Sequence, residues 1–172
     1  MKRILHIAVS LIIFLTLNSC EKNSKNNKAT PALNTWRIDV NTHCATTSTT
    51  FTQITGTFST QGYQLLEMKG EDNSGLVYSR LRIFFNTIGP PPSGTYTVTS
   101  YDKLATVPNA VAIINSDEGK SSITSIHEAA EGQTIPVIFA NGTLEVKFND
   151  LNIVREGNWC NAQAKLSVNL RK

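Results

Sequence analysis

The residue types most able to do chemistry in this chain of 172 residues are three cysteines and three histidines. Four of them would have to form any metal site of the mature chain: His43, Cys44, His127 and Cys160. Structural zinc sites use closely paired ligands with spacings such as Cys-x-x-Cys, and no such pair occurs here. We therefore expect neither a metal site nor another cofactor.

The third cysteine, Cys20, ends an N-terminal segment with the pattern of an export signal. Lys2 and Arg3 are followed by the apolar run Ile4 to Leu17, which has the length of a secretory signal and is too short to span a bilayer easily. The ending Leu17-Asn18-Ser19-Cys20 resembles the lipobox of bacterial lipoproteins. The resemblance implies that residues 1–19 are removed and that Cys20 is lipidated, so that the acyl chains anchor the protein to the cell envelope, in the outer membrane.

Export also decides the expected state of the other two cysteines. Because exported proteins fold under oxidising conditions, Cys44 and Cys160 are predicted to form a disulfide. That bond would close most of the domain into one loop, which stabilises a fold by about 4–5 kcal/mol at most in the chain-entropy model.

Catalytic patterns are absent from the sequence. A nucleophilic serine or cysteine in a G-x-S-x-G elbow is not found, and only His43 and His127 could serve as bases in the mature chain. The acidic pairs Glu71-Asp72 and Asp117-Glu118 lie beside glycines, where carboxylates usually serve turns rather than glycosidic catalysis. We predict that the protein is not an enzyme and has no catalytic residue.

Charge and composition limit the partners further. The chain has 16 Lys and Arg against 13 Asp and Glu, and loss of Lys2 and Arg3 with the signal leaves 14 against 13. Such a balance gives no electrostatic basis for nucleic-acid binding. Residues 20–32 are polar and rich in Asn and Lys, which predicts a flexible tether before a single domain over residues 33–172.

Hydrophobic residues of the domain recur with period two, which predicts an all-β fold. The final segment is the clearest, since Ala164, Leu166, Val168 and Leu170 alternate with polar residues. We expect an antiparallel β-sandwich of about eight to ten strands, with a lipocalin-like β-barrel as the alternative. The only helical candidate is Ile126 to Glu131.

Several segments predict how the strands are connected. Turns are expected at Glu71 to Gly75 and Asn115 to Gly119, a hairpin at Asn141-Gly142, and a loop at Pro90 to Pro92. Changes of hydrophobic parity after Leu65 and after Phe148 each predict a bulge or bend.

Several cues along the chain resemble a family of small β-rich lipoproteins of Bacteroidota, a domain family without an assigned activity. The cues are Trp36 in a first strand, Gly56 to Phe58, the run YQLLEMKGEDNSG from Tyr63, LRIFF from Leu81, SGTYTV from Ser93, GTLEVKFNDLNI from Gly142 and AKLSVNL from Ala164. The resemblance implies the β fold and the envelope location, and it implies no site residues.

The aromatic residues suggest where a partner could bind. Trp36 and Tyr96 share the parity of apolar neighbours and are expected in the core. Another set is expected to form a binding face on one side of a strand or beside it: Tyr78, Arg80, Arg82, Phe84 and Trp159. The leading hypothesis is a lipid-anchored, non-catalytic binding module for an envelope protein or a glycan. The alternatives are a small-ligand carrier with a barrel cavity and an envelope hydrolase.

Overall fold

The structure of the protein is a computed structural model that describes residues 28–41, 46–59, 63–118, 123–156 and 163–172. The described residues form ten strands and one 3₁₀ helix, Tyr101–Thr106, between the fifth and sixth of these strands. The strands are β1 Thr35–Asn41, β2 Thr46–Ser59, β3 Gln64–Asp72, β4 Tyr78–Phe85, β5 Gly94–Val98, β6 Ala110–Glu118, β7 Ile123–Ala129, β8 Thr134–Ala140, β9 Thr143–Glu156 and β10 Gln163–Arg171. The predicted all-β class and strand number are confirmed.

All ten strands belong to one mixed sheet with the order β10-β1-β2-β3-β4-β6-β5-β8-β9-β7. Two further pairings, β10 with β9 and β6 with β7, connect distant parts of that order. Each described strand therefore has a hydrogen-bonded neighbour on both sides, which satisfies the backbone groups that an edge strand would leave unpaired. The pairing of β5 with β6 is parallel, whereas the sequence predicted antiparallel pairing throughout.

The core is built from the inward side of each strand. Trp36 stacks on Phe51 with ring centroids 5.7 Å apart, and Tyr96 meets Phe85 edge to face at the same centroid distance. The expected burial of Trp36 and Tyr96 is confirmed. Alternation along β4 is regular, because Ser79, Leu81, Ile83 and Phe85 are buried while the residues between them are not.

Two local predictions are wrong. Residues Ile126 to Ala129 belong to β7 rather than to a helix, and Asn115 to Glu118 belong to β6 rather than to a turn. In β7, tertiary pairing with both β6 and β9 overrides the helix propensity of Glu and Ala. In β6, the buried Asn115 side chain finds hydrogen-bond partners within the core, so its usual preference for turns does not decide the conformation.

Other connections agree with the sequence. Asn141 and Gly142 have φ values of 52° and 74° and join β8 to β9 in a two-residue hairpin. Asp72, at the end of β3, accepts hydrogen bonds from Ser74 and from the backbone of Leu76 in the turn to β4. The predicted irregularity after Phe148 is confirmed by a register shift between β9 and β10 and by φ of 56° at Asp150.

The parity change in β3 has a different cause from the one predicted. Its pairing with β4 continues without a shift from Gln64 to Glu71, so the strand contains no bend at Leu65. Instead, Leu66 and Met68 face the core while Tyr63 and Leu65 are partly covered on the opposite side. The outer side of the sheet therefore carries a second apolar cluster.

The first described residues lie against the strands. Lys28 forms an ion pair with Asp39, the Ala29 carbonyl accepts a hydrogen bond from Arg37, and the Pro31 carbonyl accepts one from Asn169. The part of the predicted tether from Lys28 to Ala32 thus contacts the domain. Within the described ranges, no helix is long and apolar enough to cross a membrane.

Candidate functional site

The candidate site lies on the outer face of β4, where alternate residues point away from the core. Tyr78, Arg80, Arg82 and Phe84 share this face, as the sequence predicted from their common parity. Strands β3 and β6 flank β4 on its two sides, so their outward residues extend the same surface.

The middle of this face carries charged side chains of both signs. Arg80 lies opposite Lys69 of β3 and forms an ion pair with Glu118 of β6, at 3.3 Å between Nη2 and Oε1. Arg82 lies opposite Glu67. The Nε atoms of both arginines are buried without a hydrogen-bond partner. Among the described residues, this part of the face therefore carries charges of both signs: two glutamates lie beside the two arginines, and one lysine lies opposite Arg80.

The Phe84 end of the face is apolar and is covered by the 3₁₀ helix. Leu104 of that helix is buried against Ala110 and Ala112, and Phe84 packs against the same cluster. Phe84 and Tyr101 meet edge to face with ring centroids 4.8 Å apart. This cluster explains why apolar side chains occupy the outer side of a strand that is already buried on its inner side.

A groove of about 750 Å³ opens beside this cluster. Its lining comprises Tyr63, Leu65, Phe84, Asn86, Thr87, Ile88 and Tyr101. Tyr63 and Tyr101 meet edge to face at a centroid distance of 5.7 Å, so three aromatic rings form a continuous wall. Ile88 is fully exposed and Tyr101 is 42% exposed. We call this feature the aromatic groove.

The polar groups of the aromatic groove are neutral. Asn86 donates a hydrogen bond from Nδ2 to the Val107 carbonyl at 2.9 Å, and its backbone N–H donates to the Ala110 carbonyl. The Thr87 hydroxyl donates to the Gly89 carbonyl at 3.2 Å. These bonds fix both side chains in place. The side-chain oxygen of Asn86, Oδ1, has no intramolecular hydrogen bond among the described residues.

An ion pair holds the 3₁₀ helix in position. Glu131, which follows β7, accepts hydrogen bonds from Lys103 Nζ at 2.8 and 2.9 Å and from the Ser100 backbone N–H. The Lys103 and Ser100 hydrogen bonds together lower the pKa of Glu131 below its ordinary value. Because the pair is solvent-exposed, it orients the helix but adds little to stability.

The structure separates the residues that the sequence grouped as one binding face. Phe84 lines the aromatic groove, whereas Tyr78, 39% exposed, lies six residues away at the other end of β4. That spacing is about 20 Å along an extended strand. Trp159 lies outside the described residues, as do the predicted lipidation site Cys20 and the predicted disulfide partners Cys44 and Cys160.

Sequence reasoning missed the contributions of Tyr63, Ile88 and Tyr101. Tyr101 and Leu104 are three residues apart, the spacing that places side chains on one side of a 3₁₀ turn. A segment of six residues is too short for that period to be recognised without the fold. The pairing of β3 with β4 sets Leu65 opposite Phe84, and Tyr63, just before β3, packs against the same cluster as Phe84; both are tertiary features.

A second polar arrangement lies inside the fold. Trp36 Nε1 donates to Ser79 Oγ at 3.3 Å, and the Ser79 hydroxyl donates to Asn115 Oδ1 at 2.8 Å. Asn115 Nδ2 donates to Asp117 Oδ1 at 2.8 Å, and the Ser125 hydroxyl donates to Asp117 Oδ2 at 3.0 Å. The chain of bonds satisfies buried polar groups between β1, β4, β6 and β7.

His127 is buried on the same inner side of the sheet, opposite Asn115. Ser79, one of the two serines in that chain of hydrogen bonds, is also inaccessible to solvent. Among the described residues, no group of three or more His, Cys, Asp or Glu side chains is placed to hold a metal ion.

No protein-family model matches the chain, and no curated protein or solved structure shows significant similarity to it.

Proposed function

We propose that this protein is a lipid-anchored, non-catalytic binding module of the cell envelope, with the aromatic groove as its binding site. Its partner is an envelope protein or a glycan. The proposal combines the lipobox-like ending at Cys20 with the geometry of the Phe84 end of β4.

The single observation that carries the binding function is the partly exposed aromatic wall of the groove. Folding normally buries large apolar side chains, yet Tyr101 and Ile88 stay exposed beside a concave surface. The groove volume of about 750 Å³ is within the range of ligand sites, which are typically 300–1,000 Å³.

The position of the groove is compatible with an N-terminal anchor. Lys28 contacts Asp39, which pairs with Ser48 near the start of β2, whereas Leu65 of the groove pairs with Ser59 at the end of β2. Eleven residues of extended strand separate these positions by a distance on the order of 30 Å. The groove would thus lie well away from the entry of the tether and be reachable from outside the membrane surface.

The interior gives less support to a carrier that encloses its ligand. A carrier needs inward side chains too small to fill the space between the strands. Here the inward positions include two pairs of contacting aromatic rings, Trp36 with Phe51 and Phe85 with Tyr96. The open groove outside the sheet suits binding better than the filled interior does.

Photo-crosslinking in the native cells tests the proposal. A photoreactive phenylalanine analogue is placed at Ile88 in the lipidated protein, and adducts are identified by mass spectrometry. Leu76 is a matched control, because it is also exposed and apolar but lies in the turn at the far end of β4. We expect recurrent adducts from position 88 and background labelling from position 76.

Equal labelling from the two positions would contradict the assignment of the groove as the binding site. A glycan adduct is scored as well as a protein adduct, by the mass added to the peptide that contains position 88.

A further inference from the structure

We infer that the aromatic groove binds a neutral oligosaccharide, with one pyranose ring packed against the exposed Tyr101 ring and its hydroxyl groups near Asn86 and Thr87. This inference depends on the proposed binding function and narrows its ligand class.

The lining of the groove disfavours a charged ligand. None of the seven lining residues carries a charge, although charged side chains cover the neighbouring part of the same face. An ionic ligand would lose its hydration without gaining a counter-charge in the groove. Of the two arginines on this face, Arg80 is paired with Glu118, and Arg82, the one nearer to the groove, lies opposite Glu67.

The lining also disfavours a purely apolar occupant. The side-chain oxygen of Asn86, Oδ1, makes no intramolecular hydrogen bond among the described residues, and the adjacent Thr87 adds a hydroxyl group. Covering the amide with an acyl chain or an aliphatic side chain would remove its water without replacing the lost hydrogen bond. The occupant must therefore supply hydrogen-bond donors as well as an apolar surface.

A pyranose ring meets both requirements. Its axial C–H groups form an apolar face that can pack on the ring of Tyr101, while its equatorial hydroxyls provide donors and acceptors around the rim. Tyr63 and Phe84 hold Tyr101 edge to face, which leaves part of the Tyr101 ring available to solvent. Because the groove is open at Ile88, a chain of sugars can continue past the bound ring.

The groove is organised before a ligand arrives. The side chain of Asn86 donates a hydrogen bond to the Val107 carbonyl, and its backbone N–H donates one to the Ala110 carbonyl. The 3₁₀ helix that carries Tyr101 is oriented by the ion pair between Lys103 and Glu131. Preorganised side chains lose little conformational freedom on binding, which is important for a hydrated ligand such as a sugar.

Binding of defined glycans to the full lipidated protein in detergent tests the inference. The probes are neutral gluco-, manno-, galacto- and xylo-oligosaccharides, with oligogalacturonate as the acidic comparison. We expect binding of at least one neutral probe and a rise in its Kd of about tenfold or more in Tyr101→Ala, the size of losing one good stacking contact.

Two variants make that result specific. Tyr78→Ala is the matched control, because Tyr78 is nearly as exposed as Tyr101 on the same face of the sheet and lies outside the groove. The Kd of this variant for the neutral probe should differ from that of the unsubstituted protein by less than about twofold. Ile88→Asp tests the site without disturbing packing, since Ile88 is fully exposed. It should also weaken binding of the neutral probe by about tenfold.

The inference is overturned if only oligogalacturonate binds, or if Tyr101→Ala and Ile88→Asp leave the affinity for the neutral probe unchanged. It is also overturned if no glycan binds. In that case protein adducts at position 88 in cells would preserve the proposed binding function, whereas their absence would remove both.

Discussion

At Ser79, one hydroxyl group connects two buried polar groups from different parts of the core. It accepts a hydrogen bond from Trp36 Nε1 and donates one to Asn115 Oδ1. Neither Trp36 nor Asn115 has access to water, so each depends on the serine for this bond. The network explains why a short polar residue stands among the apolar inward positions of β4.

Ser79→Ala is therefore expected to destabilise the protein by about 1–3 kcal/mol, the usual cost of leaving buried donors and acceptors unsatisfied. Urea unfolding followed by circular dichroism measures the change. Thr95→Ala, at an exposed position of β5, is the control and should alter the free energy of unfolding by less than about 0.5 kcal/mol. Equal stability of the two variants would show that the network contributes nothing.

Asp39 is held in its ionised form by its neighbours. Burial raises the pKa of this carboxyl, but hydrogen bonds from Lys28, Ser48 and Arg37 lower it by more, so that it lies below the ordinary value of 3.8. Because the pKa is lowered in the folded state, the stabilisation is present at neutral pH and is lost as the pH falls through the folded-state pKa.

Asp39→Asn should cost about 1 kcal/mol at pH 7, and the difference from the unsubstituted protein should shrink as the pH falls below 3.8. Chemical unfolding at a series of pH values measures both effects. Asp102→Asn is the matched control, because Asp102 is exposed on the 3₁₀ helix and forms no ion pair among the described residues. A difference that stays constant with pH would contradict the assignment to the Asp39 charge.

At the level of elements, residues of β1 and β2 leave no room for a side chain at Gly70 of β3. A Cβ atom added there would lie 2.6 Å from the Thr52 carbonyl oxygen and 2.6 Å from Trp36 Cη2. Neither neighbour can move easily, because one is backbone in β2 and the other is the buried indole ring.

We expect Gly70→Ala to destabilise the fold by about 1–3 kcal/mol through overpacking. Gly94→Ala offers a matched comparison, since nothing lies within 4 Å of an added Cβ at that position of β5. Thermal unfolding should show a lower midpoint for the first variant alone. Similar midpoints for both variants would mean that the strands separate at Gly70 without cost.

The elements also show how far local sequence determines this fold. The Asn141-Gly142 hairpin was predictable because a type I′ turn needs positive φ at two adjacent residues, and Asn followed by Gly is a preferred pair for that conformation. The strand state of Asn115 and of Ile126 to Ala129 was not, because pairing partners distant in the chain override their local preferences. The outward parity of Phe84 was predictable, whereas its contact with Tyr101 depends on the 3₁₀ helix and on tertiary structure.

At the level of the whole molecule, two sequence-based predictions concern the lipid anchor of the domain and the disulfide between Cys44 and Cys160. Cys20→Ser should abolish metabolic labelling of the protein with a radioactive fatty acid, because the acceptor thiol is lost. The variant with serine at both Cys44 and Cys160 is the control and should remain labelled. Persistent labelling of Cys20→Ser would refute the anchor.

The disulfide prediction is tested separately by thiol titration of the mature protein, denatured without a reductant. We expect no free thiol, because the sequence predicts that Cys20 carries lipid and that Cys44 is joined to Cys160. Two reactive thiols would contradict the disulfide. If the disulfide is present, its reduction should lower the midpoint of thermal unfolding, because closing a long loop stabilises a fold by roughly 4–5 kcal/mol at most.

The claim that the aromatic groove is occupied in the native envelope is tested most directly by hydroxyl-radical footprinting. Tyr101 and Tyr78 are 42% and 39% exposed in the protein alone, so their relative oxidation rates in the purified protein provide an internal reference. In intact cells, we expect strong protection of Tyr101 relative to Tyr78. An unchanged ratio of the two rates would contradict binding at the groove.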